Sequence, residues 1–276
     1  MNEAPGDVAG PTQPMDLYRA GDLDGAVARC LELVKSRPTD TAARFQLAEL
    51  SCIAGDLERA DRQLDTVSTQ DPEFAVAAAL LRQLVRAEMA RRECFFAGRV
   101  PEFIGTPSPA IEARLRALAS LRSGAVDEAA EIVRRADESV TDVGVQVNGQ
   151  PVTQLRDLDD LLAPLLEVHT STGKYFWIDW DQIVSMEVHP PQRPLDLLWR
   201  QATLSIAAGP DGEVFLPAIY LEPDGPVASD ASLRLGRSTD WVEMAEGFVR
   251  GRGQRMLLVG ENDLPFLELV SIIGAE

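Results

Sequence analysis

Histidine, cysteine and positive charge are all scarce in this chain. Only His169 and His189 occur among 276 residues, each without a neighbouring histidine or cysteine, and Cys30, Cys52 and Cys94 lie far from both. No zinc-binding spacing can be assembled from such a set. No GxSxG nucleophile elbow occurs either. Lys and Arg number 26 against 44 Asp and Glu, a net charge of -18, and this excludes the positive surface that releases counterions from a nucleic acid. Acids outnumber cations 23 to 17 over residues 1–140 and 21 to 9 over 141–276, so both halves are acidic. The longest apolar run, Phe74 to Leu81, falls well short of the roughly 18 residues of a membrane span. Met1 to Pro14 has neither a charged n-region nor an apolar h-region, and its Pro5, Gly6, Gly10, Pro11 and Pro14 predict a disordered lead over 1–14 instead of a signal peptide. An odd count of cysteines, all in the first half, predicts buried free thiols in a reducing, cytoplasmic setting.

What the chain does contain is a repeat. Ala20 to Ala26, AGDLDGA, returns as Ala54 to Ala60, AGDLERA, 34 residues later, and Pro38 and Pro72 stand at the same separation. That period is the one of a tetratricopeptide repeat, a stacked helical hairpin. Asp24 to Ser36 and Leu57 to about Val67 read as second helices of two hairpins, with Ala26, Cys30, Ala60, Leu64 and Val67 inward. Asp40 or Thr41 caps the intervening helix, and Asp71 with Pro72 starts a long one through Met89. A further pair, Pro109 to Leu121 and Val126 to Glu138, turns at Gly124 and reads as a degenerate third repeat. Between them FFAGRVPEFIGTPSP, Phe95 to Pro109, is a loop whose Phe95, Phe96, Phe103 and Ile104 are packed down. Residues 15–139 are therefore expected to form a right-handed, TPR-like helical superhelix.

From about Val140 the periodicity changes to that of strands. Val143, Val145 and Val147 lead to an Asn148-Gly149 hairpin signal. Asp157 to Val168 reads as a helix bent near Pro164. Strands are expected at Tyr175 to Trp180, Ile183 to Val188, Thr203 to Ala207, Glu213 to Tyr220, Met256 to Val259 and Leu267 to Ile272. The expected fold class is α+β in two domains, with a sheet-rich mixed domain over 140–276.

Chemistry in that domain is sparse. STGKY at Ser171 to Tyr175 imitates a phosphate loop, yet Val168 and Tyr175 stand where glycine and serine or threonine are needed. Asp157, Asp159 and Asp160 form an acidic cluster, read as a solvated helix start instead of a cation site. Arg250-Gly-Arg-Gly-Gln-Arg255 is the only dense positive charge of the acidic half, read either as a glycine hairpin turn with solvated arginines or as a guanidinium patch for a partner's carboxylates. All four tryptophans fall in this half, with core packing the default and an exposed one a marker of an interaction hot spot. No catalytic, cofactor or metal residues are assigned.

The order of AGDLDGA and its repeat, FFAGRVPEF, DLDDLLAPLLEV, GKYFWIDWDQI, PLDLLWRQATL, GEVFLPAIY, LGRSTDW and GQRML resembles the ImpE family, also called SciE or TagJ, accessory proteins of bacterial type VI secretion. The resemblance covers nearly the whole chain after the lead. It implies a cytoplasmic, non-catalytic adaptor that engages the N-terminal helix of the small sheath subunit and the AAA+ ATPase that recycles contracted sheaths, modulating sheath disassembly. Helical repeats support this independently, since a concave face receives an amphipathic helix. With its few cations concentrated for carboxylate recognition, Trp199, Arg200, Arg250, Arg252 and Arg255 are the partner-binding candidates. The competing reading is a hydrolase or transferase with a site between the domains, using Asp179, Asp181 or Glu187. It requires those carboxylates to converge.

Overall fold

The computed structural model describes residues 13–138, 144–222 and 230–274. The expected disordered lead lies outside them up to residue 12, as does Val143, while Pro14 already opens the first helix. Two compact units divide the chain between Ala78 and Ala79.

The first unit contains α1 (Pro14–Ala20), α2 (Leu23–Ser36), α3 (Thr41–Ile53), α4 (Leu57–Gln70) and the start of α5 (Ala75–Ala97). Each hairpin turns by the same device. Gly21 and Gly55 take φ of 93° and 82°, the left-handed region that a side chain disfavours. The next residue's N–H then reaches back to the helix just ended, Asp22 to the Leu17 carbonyl and Asp56 to that of Ser51, at 2.9 Å each. Asp22 and Asp56 go on to cap α2 and α4, their carboxylates accepting from the Gly25 and Arg59 N–H groups. Ala26 and Ala60 are fully buried, as are Cys30 and Leu64 one turn later, which is why these positions recur with the period.

Helices α6 (Pro109–Arg122) and α7 (Val126–Asp137) repeat this geometry in the second unit. Gly124 has φ 80°, Ala125 N–H donates to the Ser120 carbonyl at 2.9 Å, and Ala129 and Val133 are buried at the positions of Ala60 and Leu64. The degeneracy lies in the cap, where Ala125 replaces aspartate and no side chain accepts. The expected boundary near 140 separates helices from strands, whereas compactness places α6, α7 and most of α5 with the strands.

Among the described residues the ladders between the strands are antiparallel. The main sheet has eight strands in the order β2 (Gln150–Val152), β1 (Val145–Val147), β13 (Ser271–Ile273), β6 (Ile183–Val188), β7 (Trp199–Ile206), β8 (Gly212–Pro217), β4 (Leu165–Thr170) and β5 (Tyr175–Asp179). A three-stranded sheet orders β12 (Asn262–Pro265), β11 (Met256–Val259) and β3 (Leu155–Asp157), and β9 (Thr239–Ala245) pairs with β10 (Phe248–Gly253). The Asn148-Gly149 hairpin forms with both residues at positive φ, 49° and 77°. Two cores result. Leu166, Val168 and Ile178 join Met186, Leu204, Leu257, Phe266 and Ile272 in one. Leu165, Tyr175 and Trp177 join Cys94, Phe95, Ile111, Leu118, Val133 and Phe248 in the other.

Strands β4 and β5 thus bury both faces, and this explains where the expected elements differ from the observed ones. The helix expected over Asp157 to Val168 is instead the end of β3, a turn containing Pro164, and the start of β4. A strand covered on both sides shows a continuous apolar run without alternation, which periodicity alone does not separate from a helix. The turn expected at Arg250 to Arg255 is strand β10, which ends at Gly253. Its Gly251 answers a close approach: a Cβ there would lie 2.3 Å from Cε2 of Tyr220. The Phe95–Pro109 segment starts inside α5, with Phe95 buried but Phe96 exposed, and Phe103 and Ile104 pack onto the two cores. Backbone bonds from Glu102 to Tyr175 and Trp177 cover the outer edge of β5.

The close crossing at Ala60 leaves no space for a larger side chain. Ala60→Trp is expected to overpack it and to cost about 1–3 kcal/mol, read as a lowered denaturation midpoint; an unchanged midpoint would contradict the hairpin register.

Candidate functional site

The densest chemistry of the second unit is an enclosed ionic centre. The two segments that stood out as surface features, DLDD and RGRGQR, meet there as partners. Arg255 donates to Asp157 Oδ2 through Nε at 2.9 Å and Nη2 at 2.7 Å, and through Nη1 to Glu167 Oε2 at 3.2 Å. Arg250 Nε lies 2.8 and 2.7 Å from the two oxygens of Asp159. From α5, Arg91 grips Glu167 with both prongs, Nε and Nη2, at 2.8 and 2.9 Å. All six side chains are buried.

Local structure explains how they are held. Asp157 ends β3 and accepts the Asp159 N–H, and Asp159 accepts the N–H groups of Leu161 and Gly251, so the tight turn after β3 fixes both carboxylates before any arginine arrives. Glu167 sits mid-β4 opposite Trp177. The Tyr175 hydroxyl donates to Glu167 at 2.5 Å, and the Trp177 indole N–H donates to that hydroxyl. Tyr220 closes the other end, donating to Asp157 Oδ1 at 2.6 Å. Guanidinium faces rest on rings, Arg255 over Phe266 at 4.9 Å and Arg250 over Phe95 at 5.6 Å.

The electrostatics follow from burial and pairing. Burial works to raise the Glu167 carboxyl, but Arg91 and Arg255 outweigh it and hold the group at about 2. Burial likewise opposes the charge of Arg255, and Asp157 and Glu167 overcome it, so its pKa is raised. His169, beside this centre, is pulled down to about 4 by burial, against the pull of Glu88, whose Oε2 lies 3.6 Å from Nε2. The imidazole is neutral and wedged edge-on between Tyr175 and Trp199. Burial pushes the Cys30 and Cys94 thiols up to about 11 and about 12, so neither presents a thiolate. Among the described residues no group of three His, Cys, Asp or Glu is placed to hold a metal ion, and no helix is long and apolar enough to cross a membrane.

The partner-binding candidates therefore sit differently from expectation. Trp199 is buried, its indole N–H 3.4 Å from Glu88. Arg200 is buried and donates to the carbonyls of Leu267 and His189. Arg250 and Arg255 belong to the ionic centre, and only Arg252 retains partial exposure, beside Glu222 at 3.1 Å. The physical reason is pairing: a basic strand inside an acidic domain finds its carboxylates within the same chain. The acidic cluster is likewise no solvated helix start, since Asp157 and Asp159 are fully enclosed and Asp160 pairs with Arg156. Trp241, 40% exposed, is the tryptophan that reaches solvent.

The carboxylates of the enzymatic alternative stand apart. Asp179 accepts from the Ser108 hydroxyl at 2.6 Å, at the cap of α6, and Asp181 is exposed in the following 3-10 turn. Glu187 is exposed on β6, separated from β5 by β7, β8 and β4. The STGK segment is the β4–β5 hairpin turn, closed by Thr170 N–H to the Lys174 carbonyl at 3.0 Å.

Hairpins of tetratricopeptide geometry followed by a sheet unit stapled by buried ion pairs define a repeat-containing α+β protein. The tetratricopeptide repeat model matches residues 17–84 and that of the ImpE protein residues 149–273. The type VI secretion system accessory component TagJ of Pseudomonas aeruginosa is 31% identical over 255 residues, covering 92% of this chain and 88% of the relative. An X-ray structure of a protein from Vibrio parahaemolyticus superposes with a TM-score of 0.88 at 28% identity, covering 95% of this chain and 97% of that one. The chain belongs to the ImpE/TagJ family.

Removing one partner from the centre strands the others. Arg255→Met is expected to cost about 3–5 kcal/mol in urea unfolding, while Arg252→Ala, at a pair whose side chains keep 23% and 21% exposure, should cost less.

Acid should weaken the fold in two stages. An unfolded imidazole takes its proton near 6.5 whereas His169 resists to about 4, so stability falls as pH drops through that window, and His169→Phe should flatten it. Glu167 contributes fully above its ordinary value of 4.5 and loses that contribution as pH falls towards 2, a slope that Glu167→Gln should remove.

Proposed function

We propose that the protein is a non-catalytic, cytoplasmic adaptor of the type VI secretion system. Its helical hairpins receive the N-terminal helix of the small sheath subunit, and it engages the AAA+ ATPase that recycles contracted sheaths, modulating disassembly. The observation that carries this reading is the likeness to the accessory component TagJ, which runs through the repeat half and the sheet half alike.

Physical features support it. Two hairpins with the same turn, cap and buried alanine make a stack whose outer groove suits an amphipathic helix. The dense charge of the second unit is consumed by internal partners, so its conspicuous aspartates and arginines serve to hold the fold. With Trp199, Arg200, Arg250 and Arg255 enclosed, the recognition surface passes to the hairpins, and Arg252 remains the one candidate of the five with an accessible side chain.

Calorimetry of the full chain with a synthetic peptide of the sheath subunit's N-terminal helix should give saturable binding, lost when the apolar face of the peptide is replaced by serine. Absence of heat with that peptide, together with no co-elution with the ATPase, would reject the assignment.

A further inference from the structure

Strand β9 of the second unit is paired along one side. It runs antiparallel to β10 from Thr239 opposite Gly253 to Ala245 opposite Phe248, and among the described residues it joins no other strand. Which of its backbone groups face outward follows from the far side of β10. There the Val249 N–H donates to Asp160 Oδ2 at 2.7 Å, and the Val249 carbonyl accepts the Asp160 N–H at 3.0 Å. The Gly251 N–H donates to Asp159 Oδ2 at 3.0 Å, and the Gly253 carbonyl accepts the Tyr220 N–H at 2.9 Å. Backbone groups of successive residues point to opposite sides of a strand, so Arg250 and Arg252 are the residues of β10 that bond to β9, at Val242 and Asp240. Thr239, Trp241 and Glu243, opposite Gly253, Gly251 and Val249, therefore turn their N–H and carbonyl groups away from β10.

Among the described residues no hydrogen bond reaches those outward backbone groups. Beside them Trp241 is 40% exposed, its ring centroid 6.0 Å from that of Tyr220. A row of donors and acceptors that repeats every second residue, about 7 Å apart, is matched by an extended chain and not by a helix, whose own groups are already bonded. Charge then selects among extended chains. The stretch Thr239 to Glu246, TDWVEMAE, has neither the lysine nor the proline that commonly blunts an edge, and its charges, the exposed Asp240, Glu243 and Glu246, are all acidic. Pairing this edge with its own copy would gather like charges, whereas a basic strand would answer them.

We infer that the outer edge of β9 is a docking site for an extended, lysine- or arginine-bearing segment of a partner protein, which adds to the β9–β10 sheet as a third strand. The partner's backbone bonds to Thr239, Trp241 and Glu243, its cations meet Asp240, Glu243 and Glu246, and an apolar or cationic side chain lies against the Trp241 ring. The site belongs to the second unit alone. It recognises a strand, so it stands whether or not the hairpins receive a sheath helix.

The test is fluorescence anisotropy of the full chain with three fluorescein-labelled peptides: one of alternating valine and lysine, one with glutamate in place of each lysine, and the lysine peptide with its backbone amides methylated. The lysine peptide should bind saturably and weaken as salt rises. The methylated peptide carries the same charge without the donors and should not bind, which separates strand addition from attraction to an acidic surface. Asp240→Lys combined with Glu243→Lys should weaken the lysine peptide about tenfold or more. Trp241→Pro removes an outward donor while the bonds to β10 remain, and it should weaken binding beyond Trp241→Ala. Circular dichroism checks that the variants fold, and the methylated peptide decides the matter on the unmodified chain if the proline variant does not. The inference is overturned if the lysine peptide does not bind, if the methylated or glutamate peptide binds as well, or if the charge variant binds unchanged. A dimer of the chain in sedimentation that Trp241→Pro dissolves would overturn it too, by giving the edge to a second copy.

Discussion

Arg255 reaches two carboxylates that belong to different layers of the second unit, Asp157 at the end of β3 and Glu167 in the middle of β4. Glu167 in turn receives Arg91 from α5, so a single line of charge runs from the small sheet through the large one into the helix. Taking such ions out of water is expensive, and their attraction offsets the expense only when geometry is good and every remaining lone pair is satisfied. Here the geometry meets that condition. Tyr175 and Tyr220 fill the acceptor positions the arginines leave, and the Asp159 N–H fills another. Apolar residues would hold these layers together without specifying their register. Forked donors and fixed acceptors admit one arrangement.

Much of the local architecture exists to make that arrangement reachable. Tyr220 approaches β10 so closely that only glycine fits at 251, and the same ring presents its hydroxyl to Asp157. The turn after β3 places Asp157 and Asp159 through backbone bonds, so the acceptors are preorganised and little further ordering is needed when the arginines pair. His169 shows the complementary constraint. So near Arg91 and so deeply enclosed, an imidazolium has no place, and the ring serves as a neutral plate between Tyr175 and Trp199.

The helical hairpins were legible because each depends on contacts within one period: a left-handed glycine, an aspartate cap three residues before its donor, and an alanine at the crossing. The third hairpin was legible for the same reason, despite losing its cap at Ala125. The sheet's strands are readable where one face meets solvent, as at Ile183 to Val188, or where aromatic and β-branched residues mark a short run, as at Tyr175 to Asp179; the leucine-rich Leu165 to Thr170, covered on both faces, carries neither sign. The ionic centre was seen only as fragments. DLDD reads as solvated charge and RGRGQR as a solvated turn or a patch for a partner's carboxylates, because pairing across nearly a hundred residues leaves no local trace. Arg91 and Glu167 went unnoticed, although a lone carboxylate inside LLEVH was a usable sign, since an isolated charge in an apolar run must find a buried counter-ion.

The internal pairing also determines what the outside of the molecule can recognise. Asp157, Asp159 and Glu167 withdraw Arg255, Arg250 and Arg91 from solvent one for one, so the net charge stays at -18 while the remaining surface grows poorer in cations than composition suggests. A diffuse negative field of this kind repels polyanions at long range and keeps the chain soluble. Specificity in an acidic protein then depends on positive groups acting at contact distance, where short separation lets a single carboxylate pairing outweigh the distant repulsion.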